Sequence, residues 1–444
     1  MTKFSKAALA ALLLAGTSTI VAGPALAKDK QDTQAQQPKL SAEFRKAAAP
    51  AQQALASGDL ATAATGITAA EAAAKTDDEK YIAAQLRLQL VVKQQQAAGG
   101  TDAAALARAD AAYKGPLDAL LANPKTPADQ RGKLANARGQ IAFNEKNYAD
   151  ALKYYAIAEQ AGFQSQDMEL AIAKSKVEQG DVAGGIAEID KVIKADEASG
   201  QKAPEDLYRY AVAKMYKTPD RAGTLAWVKR WLTAYPTAKN WRDAIIVFGF
   251  QGPTAAQLGK AQKMDLFRLM SVTGSLADQG DYIQYGQYAN DLGLPDEAKT
   301  VITKGKAAGK ISAGDPTAAA ILQQANRGIS SEGSLASLAT KAASSAKGDL
   351  AQQTADAYLG QGNYAKAIEL YQLALQKGVT HTDETKLHLG IAQAMAGDKA
   401  SAATQFAAVQ PGPNKDVATL WQTWASAGNA ASAATAATGA STAG

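Results

Sequence analysis

The sequence predicts an all-α protein built as a superhelical solenoid of antiparallel helix hairpins, and three observations support this. Alanine supplies much of an apolar content of 47%, whereas aromatic residues reach only 6%. Alanine has the highest helix propensity, and its small side chain leaves room for closely packed helices. Few segments combine Val, Ile and Thr with the two-residue alternation of a strand. Helix-turn-helix units also recur along the chain, which favours one long repeat array over unrelated domains.

Residues 1–27 have the pattern of a cleavable signal peptide. Lys3 and Lys6 give a positively charged start, and residues 7–15 form a short apolar run. Residues 25–27 (Ala-Leu-Ala) match the small-x-small site of signal peptidase, so we expect cleavage after Ala27. A membrane anchor is the alternative interpretation, but the apolar run is well below the roughly 20 residues that cross a bilayer. The sequence therefore predicts an exported protein with no membrane span.

The absence of cysteine and the modest net charge exclude several kinds of functional site. A chain without cysteine forms no disulfide, has no thiol nucleophile and offers no cysteine ligand to zinc or iron–sulfur clusters. Such an exported protein fits a bacterial periplasm, with secretion from the cell as the alternative. Without the two lysines of the signal peptide, the 47 basic residues fall to 45 against 42 acidic ones. A net charge of +3 on so long a chain does not indicate a nucleic-acid-binding protein.

Two segments of biased composition flank the repeats. Residues 28–40 are rich in Gln, Lys and Asp and are predicted to be a flexible linker. Residues 425–444 are almost only Ala, Ser, Thr, Gly and Asn, so we expect a disordered tail. The solenoid is expected between them, over residues 41–424.

Two related segments show the repeat most clearly. Residues 142–163 and 357–378 each carry a turn, then a tyrosine and two alanines on an apolar helix. In the first segment, Ala151, Tyr155 and Ala158 recur at steps of three and four, which places them on one helical face. Alanine lets the two helices of a hairpin touch, and tyrosine fills the space to the next hairpin.

The same pattern predicts which alanines are buried. Ala151 and Ala367 should lie where the two helices of a hairpin meet. Ala149 and Ala365, two residues earlier, should face away and tolerate a larger side chain.

These segments resemble the tetratricopeptide repeat, a helix-turn-helix unit of about 34 residues. Gly139 lies in the first helix at the spacing of that family, and the turn at Gly180-Asp181 follows the turn at Lys146-Asn147 by one such repeat length. The match is clearest over residues 132–199, 279–311 and 348–411. The resemblance implies a concave groove, lined by the first helices, that binds a protein or peptide partner.

Glycine–aspartate pairs are predicted to form hairpin turns in which the aspartate caps the next helix. Four such pairs occur: Gly58-Asp59, Gly180-Asp181, Gly280-Asp281 and Gly397-Asp398. We read these glycines as structural and not as parts of a phosphate-binding loop.

Polar side chains on the first helices of the best-matched repeats are the predicted groove residues. They are Lys133, Asn136, Gln140, Asn144 and Lys174. Hairpin stacking should turn these side chains into the groove. Lys153 lies on a second helix and should face the outer, convex side.

A tryptophan-rich stretch supports an alternative function. Trp227, Trp231 and Trp241 lie among basic residues. Their rings could stack on an envelope glycan, or they could form the bulky core of a divergent hairpin. The alternative is therefore a solenoid that binds cell wall or polysaccharide.

No catalytic or cofactor-binding motif is found in the sequence. His381 and His388 are seven residues apart, and with Asp383 and Glu384 nearby a weak divalent-metal site is conceivable. We favour a simpler interpretation, in which this segment is an exposed helix start. The sequence thus predicts a non-catalytic periplasmic scaffold or adaptor that uses no cofactor or metal and binds a protein or peptide.

Overall fold

The protein is helical throughout the part of the chain that its computed structural model describes, residues 39–440, and this part contains no strand. The predicted all-α fold of helix hairpins is confirmed. The predicted signal peptide, residues 1–27, lies outside the described residues. So does the predicted linker, apart from Lys39 and Leu40.

The chain forms two compact units that divide between Gln201 and Lys202. We call the described part before this point unit 1 and the part after it unit 2. Unit 1 contains eight helices: α1 (Ala42–Ser57), α2 (Leu60–Ala73), α3 (Asp77–Ala98), α4 (Ala103–Ala122), α5 (Ala128–Asn144), α6 (Tyr148–Gln160), α7 (Gln166–Glu178) and α8 (Val182–Ala198). Each odd-numbered helix packs on the next one, so unit 1 is a series of four hairpins.

Unit 2 contains fourteen helices in its described part: α9 (Glu205–Met215), α10 (Arg221–Ala234), α11 (Ala238–Gly249), α12 (Gly252–Ala255), α13 (Lys260–Val272), α14 (Gln279–Asp291), α15 (Pro295–Ala307), α16 (Pro316–Glu332), α17 (Leu335–Ser344), α18 (Asp349–Gly360), α19 (Tyr364–Lys377), α20 (Thr382–Met395), α21 (Lys399–Ala408) and α22 (Pro413–Ala440). The clearest hairpins are α14–α15, α18–α19 and α20–α21. The last helix, α22, also packs against α10 and α13, early in the unit.

Most of the predicted turns form as expected. Asp59, Asp181 and Asp398 each accept a hydrogen bond from the backbone N–H three residues later, at 2.8–3.0 Å, and so cap α2, α8 and α21. The predicted turn at Gly280 is wrong, because Gly280 lies in the first turn of α14 and Asp278 caps that helix instead.

The repeat glycines allow two helices to approach closely. A Cβ on Gly139 would lie 2.7 Å from the ring of Tyr155, and one on Gly390 would lie 2.6 Å from the ring of Phe406. In both hairpins the ring of the second helix therefore occupies the space that a larger first-helix residue would need.

The predicted phase of the hairpins agrees with the burial of the alanines. Ala151 and Ala367 have no exposed surface, whereas Ala149 and Ala365 are exposed. The expectation that only the first pair lies between packed helices is confirmed.

The C-terminal helix differs from the sequence-based expectation. Helix α22 continues to Ala440, so residues 425–440 of the predicted tail are helical. Their high alanine content favours this conformation. Residues 441–444 lie outside the described residues.

Candidate binding surface

The first helices of unit 1 lie on its inner side. Helix α1 contacts α3, and α5 contacts α7. Between these pairs, the Tyr81 hydroxyl of α3 donates a hydrogen bond to Gln130 Oε1 of α5, at 2.8 Å. No packing of comparable extent joins the second helices α2, α4, α6 and α8 to one another in the described part of unit 1. A row that is closer together on one side curves toward that side, so the first helices line the concave face.

The predicted groove residues lie together on two neighbouring first helices. Four of them follow one face of α5 at steps of three and four, and the fifth lies on α7, which packs against α5. Lys133, Asn136, Gln140 and Lys174 are half-buried, and Asn144 is exposed. We call this set of five residues the polar row.

Hydrogen bonds orient the amides at one end of the polar row. Gln140 Nε2 donates to Asn144 Oδ1 at 3.0 Å, and Asn144 Nδ2 donates to Asp110 Oδ2 at 3.2 Å. The Tyr155 hydroxyl lies 3.4 Å from Gln140 Oε1 and donates to it. Burial raises the pKa of Asp110 above its ordinary value. This end of the row is thus held in place before any ligand binds.

A second polar group extends the row onto α3, and sequence reasoning missed it. Gln85 Nε2 donates to the Tyr81 hydroxyl at 2.6 Å, and that hydroxyl in turn bonds to Gln130 of α5. Burial raises the pKa of Tyr81. Residues 77–122 match the repeat poorly in sequence, so only the structure shows that α3 occupies a first-helix position.

The chemistry of the polar row suits recognition of a peptide main chain. A side-chain amide both donates and accepts, as the peptide N–H and C=O do. Lys133 and Lys174 add cationic donors beside these amides. The described residues contain no group of three or more His, Asp or Glu side chains that could hold a metal ion. The side chains of the polar row thus offer hydrogen-bond donors and acceptors of the kind that a polar chain requires.

The tryptophans do not form an exposed platform. Trp227, Trp231 and Trp241 are 7%, 3% and 2% exposed. The indole N–H of Trp231 donates to Glu205 Oε1 at 3.2 Å, within the hairpin of α9 and α10. Their proposed role in stacking on glycan is corrected here, because buried rings have no face to offer a sugar. Trp227 and Trp231 belong to the core of a divergent hairpin, the other interpretation that the sequence allowed, and Trp241 is buried on the next helix, α11.

A cavity of about 660 Å³ lies on a different side of α3. Short side chains such as Ala83 and Ala119 line it, between α2, α3 and α4. Two of the charged side chains that line it, Arg87 and Glu71, form an ion pair with each other. Arg87 Nε and the Glu71 carboxylate are 2.8 Å apart. This cavity does not join the polar row.

Unit 2 encloses a cluster of charged side chains that sequence reasoning missed. Arg268 of α13 makes two hydrogen bonds to Glu297 of α15, at 2.9 and 2.7 Å. It makes a third to Asp265, at 2.8 Å. The Tyr285 hydroxyl of α14 donates to Glu297 at 2.7 Å. All four residues are less than 7% exposed.

The cluster continues to His388, which the sequence placed in an exposed helix start. His381 is exposed there, immediately before α20, but His388 is only 4% exposed. Its Nε2 lies 3.1 Å from Asp265 and its Nδ1 lies 2.7 Å from Asp356. The Tyr371 hydroxyl donates to Asp356 at 2.6 Å. His388 is therefore a core residue, and the expectation that it belongs to an exposed segment is wrong.

The pKa values in this cluster follow from its carboxylates. Burial alone lowers the pKa of His388, but Asp265 and Asp356 outweigh that effect and raise it well above its usual range. Burial likewise opposes the charge on Asp265, and His388 and Arg268 together hold its pKa below the ordinary value. We call Asp265, Arg268, Glu297, Asp356 and His388 the ionic core. It is enclosed, and its groups bond to one another.

Comparisons with known proteins add little to this description. No protein-family model matches the chain, and no curated protein is significantly similar to it in sequence. In the described residues, no helix has the length and apolar character needed to span a bilayer.

Three solved helical proteins match the chain weakly. The maize pentatricopeptide repeat protein PPR10 is 13% identical over 88% of this chain, with a TM-score of 0.29, and this chain spans 63% of its length. Yeast Tom70 is 11% identical over 88% of this chain and 97% of its own, with a TM-score of 0.20. A chain of the APC/C hetero-tetramer Cut9–Hcn1 is 13% identical over 82% of this chain and 86% of its own, with a TM-score of 0.16. Scores this low carry no argument, so the description of the fold rests on the hairpins themselves.

Proposed function

We propose that this protein is an exported, non-catalytic scaffold that binds an extended segment of a protein partner on the concave face of unit 1. The polar row is the observation that carries this proposal. Its five side chains share one face of two adjacent first helices and keep donors and acceptors at the surface. A helix that served only as core would place apolar side chains there.

The pre-ordered amides support main-chain recognition. A side chain that is already held by hydrogen bonds loses less conformational entropy when a ligand binds. Asn144 and Gln140 are held in this way, whereas Lys133 and Asn136 remain available along the same face. Contacts to the main chain would make binding tolerant of partner sequence, which suits an adaptor.

Location in the periplasm is part of the same proposal and rests on the signal pattern of residues 1–27. We expect the mature protein to begin at Lys28 and to be released with the soluble periplasmic fraction. N-terminal sequencing of protein recovered from the native cell tests this. An intact Met1, or retention in a membrane that resists salt and alkali, would contradict it.

The binding test uses a variant of the polar row and a matched control. Asn136→Ala, Gln140→Ala and Lys174→Ala are combined in one protein, and Lys153→Ala on the outer side of α6 is the control. After both variants are shown to melt like the wild type, each is immobilised and exposed to native envelope extract, and captured proteins are quantified by mass spectrometry. We expect the triple variant to capture at least tenfold less of a specific partner than the wild type does. The control should capture as much as the wild type. Equal capture by all three proteins would refute the proposal.

A further inference from the structure

The cavity of unit 1 lies between two second helices, α2 and α4, and the first helix α3 forms its floor. Four residues of α3 line this floor: Lys80, Ala83, Ala84 and Arg87. They follow one another at helical spacing and so lie on one face of α3. The cavity volume of about 660 Å³ falls within the range of roughly 300–1,000 Å³ that is usual for small-molecule sites. The cavity therefore has the size of a site for a small organic molecule.

The next gap along unit 1, between α4 and α6, shows how such a space is filled. Arg138 of α5 donates to Asp118 of α4 at 2.9 Å. The ring of Tyr154 of α6 lies over the Arg138 guanidinium, with 4.6 Å between the guanidinium carbon and the ring centroid. The Tyr154 hydroxyl donates to the same oxygen of Asp118, at 3.0 Å. A phenol ring thus fills this gap by stacking on an arginine and bonding to the carboxylate that the arginine also contacts.

The gap that holds the cavity contains the same kind of arginine–carboxylate pair, without a ring. Arg87 of α3 donates to Glu71 of α2 through Nε and Nη2, at 2.8 and 2.5 Å. The residues of α4 that line the cavity are all compact: Gly115, Pro116, Ala119 and Ala122. The space that a tyrosine ring occupies in the next gap is therefore open here.

A second cation lines the cavity two helical turns from this pair. Lys80 is exposed and forms no ion pair with any residue that the structure describes. It precedes Arg87 by seven residues, which is about 10 Å along the helix axis. Asp77, the remaining acidic residue of the lining, lies one turn beyond Lys80. A ligand that extends from Arg87 along the alanines would thus meet the Lys80 ammonium first, which favours an anionic group at that end.

We propose that this cavity binds a small aromatic acid, a molecule with a phenol ring at one end and a carboxylate at the other. The ring stacks on Arg87 and its hydroxyl donates to Glu71, as the tyrosine does in the next gap, and the carboxylate meets Lys80. Stacking on the guanidinium and the charge-assisted bonds at both ends fix the orientation of the ligand. The site is independent of the polar row, and it could be absent without affecting the proposed scaffold function.

The test is a calorimetric titration of the full-length protein with hydroxyphenylpropionate. Ala119→Trp on α4 fills the cavity with an indole, and Ala149→Trp at an exposed position of α6 is the matched control. Both variants are first shown to melt like the wild type. We expect Ala119→Trp to weaken binding at least tenfold and the control to bind like the wild type. No binding to the wild type at millimolar ligand, or equal binding by all three proteins, would overturn the proposal.

Three analogues of the ligand test the separate contacts on the wild-type protein, so this measurement does not depend on the folding of a variant. Cyclohexylpropionate lacks the π-system that stacks on a guanidinium. Phenylpropionate lacks the hydroxyl, and tyramine carries an ammonium in place of the carboxylate. Each analogue should bind at least tenfold more weakly than hydroxyphenylpropionate, and Lys80→Gln should reduce the preference over tyramine. If any of the three binds as tightly as hydroxyphenylpropionate, the proposed class of ligand is wrong.

Discussion

Unit 1 and unit 2 are built from the same kind of hairpin, but they place their polar groups differently. Unit 1 keeps its amides and lysines on the concave face, where the polar row meets solvent. Unit 2 encloses the ionic core, which joins side chains of α13, α15, α18 and α20. The same kind of helix hairpin can thus carry its polar side chains at the surface or enclose them in the core. The polar row of unit 1 thus lies at the surface, whereas the charged side chains of the ionic core bond to one another inside unit 2.

The buried carboxylates of the two units show the same contrast. Glu79 at the start of α3 accepts hydrogen bonds from the backbone N–H groups of Ser41, Lys75 and Thr76, at 2.7–3.0 Å. The most distant of these donors, Ser41, is 38 positions away in the chain. Asp265 of unit 2 is instead bonded to His388, which is 123 positions away. Glu79 is thus held by backbone groups, whereas Asp265 depends on a side chain that reaches it only after the chain has folded.

The largest effect that separates the units should come from breaking the ionic core. Arg268→Ala leaves Glu297 buried without its cation and leaves Asp265 with His388 alone, and we expect it to lower the free energy of unfolding by about 3–5 kcal/mol. Arg87→Ala, which breaks the more exposed pair with Glu71 in unit 1, should cost about 1 kcal/mol or less. Urea unfolding followed by circular dichroism measures both changes. A cost for Arg268→Ala as small as that for Arg87→Ala would mean that the core does not depend on its charges.

Overpacking should affect both units equally, because the hairpin phase is shared. Leucine at Ala151 or at Ala367 enlarges a fully buried side chain and should cost about 1–3 kcal/mol. Leucine at Ala149 or Ala365, which are exposed, should change stability by less than about 0.5 kcal/mol. Melting temperatures of the four variants check this. If all four tolerate leucine alike, the packing described for the hairpins is incorrect.

A smaller difference is expected in alkali. The pKa of His388 in the folded chain lies well above that of the unfolded chain, because Asp265 and Asp356 favour its protonated form. The contribution of His388 to the free energy of unfolding is complete when the pH is below the pKa of this residue in the unfolded chain. It is lost as the pH rises through the pKa in the folded chain. The stability of unit 2 should therefore fall as the pH rises. His388→Gln should make this stability less dependent on pH. Urea midpoints measured from neutral pH into alkali test it, and an unchanged slope in the variant would exclude His388 as the cause.

The smallest effect should be a loss of stability of unit 1 in acid, caused by protonation of Glu79. Hydrogen bonds from Ser41, and then those from Thr76 and Lys75, lower the pKa of Glu79 from 4.5 to about 2. The stabilisation is present above the ordinary value of 4.5 and is lost as pH falls toward about 2. Glu79→Gln should thus reduce the acid sensitivity of α1 and α3 in hydrogen exchange. If the variant and the wild type lose hydrogen-exchange protection in acid to the same extent, other carboxylates control the acid sensitivity of α1 and α3.

The fold could be predicted from the sequence because its determinants are local. Gly139, Ala151 and Tyr155 lie within a single hairpin, and their spacing sets both the helix face and the hairpin contact. The polar row was predictable for the same reason, since four of its members lie on one helix.

The ionic core could not be predicted in this way. His388 looks like a residue of an exposed helix start, and only the fold brings it to Asp265. The tryptophans were ambiguous, because aromatic side chains among basic residues fit either a surface platform or a core. The hydrogen bond from the indole N–H of Trp231 to Glu205 in the facing helix places Trp231 in the core. A repeat pattern alone thus does not determine whether these side chains are buried or exposed, because that depends on contacts between residues far apart in the chain.

Site-specific crosslinking in the native cell tests the proposed binding face most directly. A photoreactive phenylalanine analogue replaces Lys133 on the concave face of α5 in one protein and Lys153 on the outer side of α6 in another. Both positions are in unit 1, and both proteins should melt like the wild type. We predict that irradiation yields a discrete crosslinked partner from position 133 and none from position 153. A partner captured from position 153 alone, or equally from both, would contradict the assignment of the concave face as the binding surface.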